Sequence, residues 1–281
     1  KKNKIKHPYK NICDKYEEKD FKKFKKDFLE NFELEDTKAS KRKTVGKLTG
    51  YYEPSIKAFS YPKKGSYPIY KHPSKSETKI NAEVTRKKIN EGYLDDHNLE
   101  IAWVENEIEA FFLHIQGSGR LQLENNKTIK VRYAGSNKKR YTSLGKILIQ
   151  KGYISKKNVD MYKIKKWLYK NKNKSREFLN MNQRYIFFEK YSGNIKGSSG
   201  MELVPYISVA TDKRFIKKVE MIIIQSFDNR KEIFIGIAHD EGAAIKGENR
   251  IDLFSGHGVK AERIAAKLNE KIFVRKLIPK K

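Results

Sequence analysis

The chain has 281 residues, 38% of them hydrophobic and 12% aromatic, which excludes a disordered polymer even though 34% are charged. The formal net charge of +28 (62 basic against 34 acidic residues) asks for a polyanionic partner: nucleic acid, an anionic lipid surface or an acidic cell-wall polymer. Only 12 of the 62 basic residues are arginine, so the charge is mostly dispersed lysine and lacks the bidentate donors on which base-reading proteins rely.

In chain order, the opening KKNKIKHPYK carries no hydrophobic signal, which suits either a cytoplasmic protein or one whose signal has been removed. Cys13 stands alone, excluding an internal disulfide and a thiolate metal cluster. Phe21, Phe24, Phe28, Leu29 and Phe32 recur at helical spacing and predict an amphipathic helix within 11–36. Gly46, Gly50, Pro54, Pro62, Gly65 and Pro68, with aromatic residues between them, predict strands and turns. Residues 102–115 alternate toward a strand that ends in a tight turn at Gln116-Gly117-Ser118-Gly119, and 129–135 give another strand. Short helices are expected over 143–151, from a cap at Ser155, and near Ser175. The glycine-serine stretch 192–200 has the composition of a linker. Beyond it lie apolar strands over 220–227 and 232–239, a helix around 259–268 and a last strand over 271–277. The fold class is mainly β with minor α, and no apolar run approaches the ~18 residues of a membrane helix.

Nucleotide motifs are absent: Gly145-Lys146 lacks the upstream glycine spacing of a phosphate loop, and Ser118 does not sit in Gly-x-Ser-x-Gly. The six histidines show no ligand spacing, and His239 beside Asp240 lacks further ligands, so no metal and no cofactor are expected. Carboxylates remain. Asp240 closes an apolar strand, and Asp252 follows a small-residue bend and precedes Leu253-Phe254. Such residues either bond backbone amides in glycine turns or, where apolar neighbours and a second carboxylate raise a pKa, hold a proton to give to a glycosidic oxygen. Thr49-Gly50-Tyr51-Tyr52 offers rings and hydroxyls suited to sugars, and 116–119 offers an amide and exposed backbone amides.

Taken together, LTGYYEP (48–54), HIQGSG (114–119), 132–154, YIFFEK (185–190), ISVATDKRFI (207–216) and AHDEGAAIKGENRIDLFSGHG (238–258) resemble the membrane-bound lytic transglycosylase A family of bacterial cell-wall enzymes. The resemblance implies a double-psi β-barrel built from 1–54 and 193–281, with an N-terminal helix, and an inserted β-rich domain over 55–192, with a substrate groove between the two. It implies cleavage of the β-1,4 MurNAc–GlcNAc bond of peptidoglycan to 1,6-anhydroMurNAc ends by a single aspartate, Asp252 by motif position, with Asp240 in support. Thr49, Gly50, Tyr51, Gln116, Ser118 and Lys246 are the expected substrate contacts. The partners so implied are peptidoglycan glycan strands and not nucleic acid. The same resemblance implies a monomer in the periplasm or cell envelope, held at the outer membrane by a lipid anchor whose signal is not visible in these residues. Gly242-Ala243-Ala244 and Asn182-Gln183-Arg184 depart from the family's usual Gly-Gly-Ala and Asn-Pro-Ser. The alternative is a basic, non-catalytic module that binds an anionic polymer, either cell wall or nucleic acid.

Overall fold

A computed structural model of the protein describes residues 30–73, 81–229 and 233–280. The chain begins with β1 (Phe32–Asp36) and β2 (Gly46–Glu53). It continues through β3 (Ser55–Phe59), β4 (Tyr67–Tyr70), β5 (Glu100–Val104), helix α1 (Glu107–Gln116), β6 (Ser118–Leu123) and β7 (Thr128–Ser136). Helices α2 (Leu144–Gln150), α3 (Met161–Lys170) and α4 (Lys172–Asn180) precede β8 (Ile186–Lys190). The last part comprises β9 (Ser208–Thr211), β10 (Met221–Ser226), β11 (Ile233–Glu241), β12 (Arg250–His257), α5 (Gly258–Lys267) and β13 (Asn269–Pro279).

These strands form two sheets. The first runs β1-β13-β10-β11-β9-β12-β2, and because β13 also pairs with β2, six of its strands close into a barrel of the double-psi class. Two of its pairings are parallel, β9 with β11 and β2 with β12. The second sheet runs β4-β5-β3-β6-β7-β8, and a bridge between Lys71 and Phe188 links its two ends. The polypeptide passes from the first sheet to the second at the buried Pro54 and returns after β8.

Alternation sets the burial. In β10 every second residue, Ile222 and Ile224 among them, points into the barrel core with Leu48, Ile251, Ile272 and Val274. The inserted sheet packs Ile69, Val104, Leu121, Val131 and Phe188 together, and α1 to α4 close a third core around Phe111, Leu148, Leu168 and Leu179.

Several local expectations need correction. The amphipathic helix predicted over 11–36 lies largely outside the described residues, but Phe32 opens strand β1, where it pairs with Pro279 and buries its ring beside Leu277. The strand expected over 102–115 is a strand followed by a helix. Asn106 caps α1 by accepting from the amides of Ile108 and Glu109, and Gly117, at φ 78°, ends it. Ile108, Ala110, Phe111, Phe112 and Leu113 are all buried, so α1 is apolar nearly all round and shows no single helical stripe. Ser155 begins only a short 3-10 turn; the cap of α3 is Asp160, which accepts from the amide of Lys163. The stretch 192–200 is no loose linker. A Cβ on Gly197 would come within 2.3 Å of the His239 carbonyl oxygen, and the amide of Ser199 donates to that oxygen at 3.0 Å.

The sheets are joined by polar contacts. Glu53, 1% exposed at the end of β2, accepts from Arg120 Nε of β6 at 2.7 Å and from the Tyr191 hydroxyl. Gln116 Oε1 accepts from the amide of Tyr52 at 3.0 Å, and Tyr52 packs with Met161 of α3 and with Ala261 and Ala265 of α5.

Candidate functional site

Strand register brings the two aspartates to one row. Asp240 on β11 and Asp252 on β12 are both partners of Ala210 on β9, and Asp252 is in turn opposite Thr49 on β2. Two strand spacings therefore separate the aspartate Cα atoms, about 10 Å. An irregularity in β11 between Ala238 and Asp240 puts Asp240 into that row.

Asp252 is half-buried in the barrel wall. Its Oδ1 accepts from the Thr49 hydroxyl, and Arg250 Nη2 donates to Thr49 Oγ1 at 2.7 Å. Burial pushes the Asp252 carboxyl above the ordinary range; Arg250, the Thr49 hydroxyl and Lys47 pull against it, and the charge of Asp240 adds to the rise. Around Asp240 the arrangement differs. Its Oδ1 accepts from the amides of Ser198 and Glu241, each at 2.9 Å, and its Oδ2 accepts from the Tyr51 hydroxyl at 3.1 Å. Burial again raises this carboxyl, against the pull of the three donors. Burial, Asp240 and Asp252 together hold the Tyr51 phenol well above its usual value, so Tyr51 is a neutral donor that senses both acids.

The other predicted positions fall into two groups. Thr49 and Tyr51 touch the aspartates directly, and Gln116 is bonded to the backbone one residue beyond Tyr51. Gly50, Ser118 and Lys246 are placed differently. A Cβ on Gly50 would meet the Cα of Ala265 at 2.7 Å, so its missing side chain lets α5 approach β2. Ser118 is 7% exposed, within the β6–β7 ladder opposite Arg132. Lys246 is exposed on the 242–249 turn. That turn is fixed by the Gly247 amide, which donates to Asp212 Oδ2 at 2.9 Å, and by Glu248, whose carboxylate accepts from the amides of Lys38 and Ala39. His239 is buried and its Nδ1 lies 2.8 Å from Ser208 Oγ.

Three groups at the site were not singled out from sequence. Arg250 and Lys47 supply positive charge beside Asp252, burial lowering the pKa of each. Tyr141, in the segment between β7 and α2, is raised chiefly by burial and also by the charge of Asp252, so a phenol of the inserted domain lies within the electrostatic reach of the acid. Arg250 sits inside the quoted stretch 238–258 and could have been weighed with its aspartate; Tyr141 carries no local signal, because only the folded chain brings it near β12.

Together these features define a two-domain β protein with a pair of raised carboxyls on the wall of a closed barrel, on a face that the inserted domain reaches. The family described as the MltA specific insert domain matches residues 47–189, and the 3D domain matches 207–277. The chain belongs to the membrane-bound lytic murein transglycosylase A family. It is 32% identical over 226 residues to membrane-bound lytic murein transglycosylase A of Vibrio cholerae, covering 76% of this chain and 60% of the relative. To the homolog from Buchnera aphidicola it is 35% identical over 237 residues, covering 79% and 63%. The Escherichia coli relative gives 30% over 247 residues, with 83% and 66% covered, so the chain spans less than two thirds of each of these relatives. Among solved structures, a membrane-bound lytic murein transglycosylase from Agrobacterium tumefaciens matches with a TM-score of 0.84 at 23% identity, over 96% of this chain and 82% of that one. The Escherichia coli protein with bound chitohexaose matches with a TM-score of 0.75 at 28% identity, over 88% and 79%.

Proposed function

We propose that this chain is a lytic transglycosylase that cleaves the β-1,4 bond between N-acetylmuramic acid and N-acetylglucosamine in peptidoglycan, with Asp252 as both acid and base. The observation that carries this reading is the carboxyl of Asp252: half-buried, raised, and held at one oxygen so that the other is left for chemistry. A raised carboxyl retains a proton nearer neutral pH and can give it to the leaving oxygen.

In the first step Asp252 protonates the glycosidic oxygen, the bond from that oxygen to C1 of the muramic residue breaks, and the glucosamine leaves with a new hydroxyl. Positive charge develops at C1 and the ring oxygen. In the second step the Asp252 carboxylate takes the proton of the muramic 6-hydroxyl, whose oxygen bonds to C1 and closes the 1,6-anhydro ring. The proton returns to Asp252 and no water is consumed. Asp240 supports the acid by its charge, and Tyr51, Gln116, Lys246 and Tyr141 are proposed to border the bound glycan. That the Escherichia coli relative was solved with bound chitohexaose supports a glycan as ligand. The relatives' names call them membrane-bound, which supports placement in the cell envelope, in the periplasm or at the outer membrane through a lipid anchor, where the chain is proposed to act as a monomer. No described helix is long and apolar enough to cross a membrane.

Mass spectrometry of purified sacculi digested with the protein tests this: muropeptides ending in 1,6-anhydro rings are expected, and reducing ends in their place would show a hydrolase. The excess of lysine is proposed to hold the enzyme on anionic murein, so added salt should slow digestion of sacculi and leave short soluble glycans unaffected.

A further inference from the structure

Arg250 opens β12 two residues before Asp252, so both side chains leave the same side of the strand. Its Nη1 donates to the Ile251 carbonyl at 2.6 Å and to the Lys47 carbonyl at 3.4 Å, which pins the guanidinium across β12 and β2. Its Nη2 donates to Thr49 Oγ1 at 2.7 Å. A guanidinium has donors and no acceptor, so the Thr49 oxygen must receive that bond. The hydroxyl hydrogen of Thr49 is then directed to its remaining partner among the described residues, Asp252 Oδ1.

The direction of this chain of bonds matters for an acid. An oxygen that accepts a hydrogen bond from a committed donor is a poor place for the carboxyl's own proton, because the carbonyl oxygen of a neutral acid is a stronger acceptor than its hydroxyl oxygen. The neutral acid is better arranged with Oδ1 accepting and Oδ2 carrying the proton. We infer that Arg250 is a positioning residue: acting through the Thr49 hydroxyl, it keeps the transferable proton of Asp252 on Oδ2, the oxygen left for the substrate. This rests on Asp252 being the acid of the proposed reaction. It also moves Thr49 from substrate contact to part of the acid's support, since the one hydrogen of its hydroxyl is committed to Asp252 while its oxygen accepts from Arg250.

The groups that face Asp252 are Thr49 and Lys47 on β2, Arg250 on its own strand, Asp240 on β11, and the phenols of Tyr51 and Tyr141. Of these, Arg250 both orients the carboxyl and opposes its rise. Removing the guanidinium should free the proton to move to Oδ1 and should raise the titration of Asp252, moving the alkaline limb of activity to higher pH.

The test compares Arg250→Met, Arg250→Lys, Thr49→Val and Thr49→Ser, all checked for fold by thermal melting. For Arg250→Met and Thr49→Val, kcat on sacculi should fall about 10- to 100-fold with KM within about twofold of the parent. Thr49→Ser, which keeps the relay oxygen and hydrogen, should stay within about threefold, and Arg250→Lys should keep the parent pH profile because it keeps the charge. Equal losses in Thr49→Ser and Thr49→Val, or a change in KM alone, would overturn the inference. Carbon-13 NMR of labelled aspartate, with the Asp252 signal assigned by its loss in Asp252→Asn, reads the titration without turnover. If the parent protein yields no anhydro product, the proposed function fails, and the titration still decides the relay: an Asp252 that titrates identically in Arg250→Met and the parent overturns it. Should Arg250→Met not fold, the contrast between Thr49→Val and Thr49→Ser carries the decision.

Discussion

Two arginines are built into this protein in opposite ways. Arg86, 2% exposed in the inserted domain, is closed off: it donates to the carbonyls of Asn182 and Arg184 and to His114 Nδ1, and lies over the rings of Phe111 and Tyr185 at 4.9 and 5.1 Å. Since arginine can only donate, His114 must present an unprotonated Nδ1. Burial and the Arg86 charge hold that histidine well below its usual pKa, and burial pulls Arg86 itself down to about 10. Arg250 in the barrel instead faces a raised carboxyl that keeps part of its surface open. A buried charge therefore does not mark a site by itself. Around Arg86 every bond is spent on holding the fold; around Arg250 the bonds end on a group able to exchange a proton.

If that contrast holds, substitutions near Arg250 should alter turnover and those near Arg86 should alter stability. The largest effect is expected for Asp252→Asn. Release of anhydro-muropeptides should fall by about 10^3-fold or more, while the melting temperature stays level or rises, because a carboxyl raised by burial destabilises the fold once it ionises. A fall in melting temperature together with residual activity would break the comparison. Next is Arg86→Met, which leaves two buried acceptors, the Asn182 carbonyl and His114 Nδ1, and the part-buried Arg184 carbonyl without their donor and should cost about 1–3 kcal/mol or more of stability in urea unfolding. Turnover per folded molecule should be unchanged.

Asp212 shows that the division follows the local bonds and not the domain. It lies in the barrel, next to β9, yet its carboxylate is spent on Arg214 Nε and Nη2 and on the Gly247 amide. The Arg214 guanidinium, with the amides of Gly247 and of Arg214 itself, holds the carboxyl well below the usual range. Asp212→Ala should cost about 1–3 kcal/mol with little change in kcat. The sign with pH follows from the depressed value: its contribution is complete above the unfolded carboxylate range near ~4 and fades as pH falls toward the folded value. The parent and Asp212→Ala stability curves should therefore converge in acid. Curves that stay parallel would show that Asp212 acts through packing alone.

How much of this was legible in the sequence depends on distance along the chain. The mainly β class, α2, α5 and the strands β10, β11 and β13 follow from local periodicity, because each pattern lies within one segment; β12, which carries Asp252, follows a glycine-rich bend and is legible only as the residues after it. The α1 helix was hidden because residues 108–113 are buried almost all round, so no amphipathic stripe separates helix from strand. Thr49 and Tyr51 were recognisable as site candidates, but their partners were not: the bonds Thr49–Asp252 and Tyr51–Asp240 span 203 and 189 residues. The glycines of LTGYYEP and of the 192–200 stretch look alike in sequence. Gly50 is a packing gap for α5 and Gly197 one for the His239 backbone, and only the folded contacts distinguish these from contacts with a ligand.

The smallest expected effect is the most discriminating. Asp240 acts on Asp252 through its charge, across the row that runs through Ala210, with no hydrogen bond between the two carboxyls among the described residues. In the proposed mechanism the reacting form of Asp252 is the protonated one, so activity should be lost as pH rises through its pKa. A negative charge nearby favours the protonated form; in Asp240→Asn that charge is gone and the alkaline limb should move to lower pH, with the plateau within about tenfold of the parent. Arg250→Met removes the opposite charge and should move the same limb to higher pH. A general loosening of the barrel would shift both variants alike. Limbs that separate in opposite directions on the same substrate, measured from kcat against pH, would mean that one carboxyl, Asp252, is being read through two charges on either side of it.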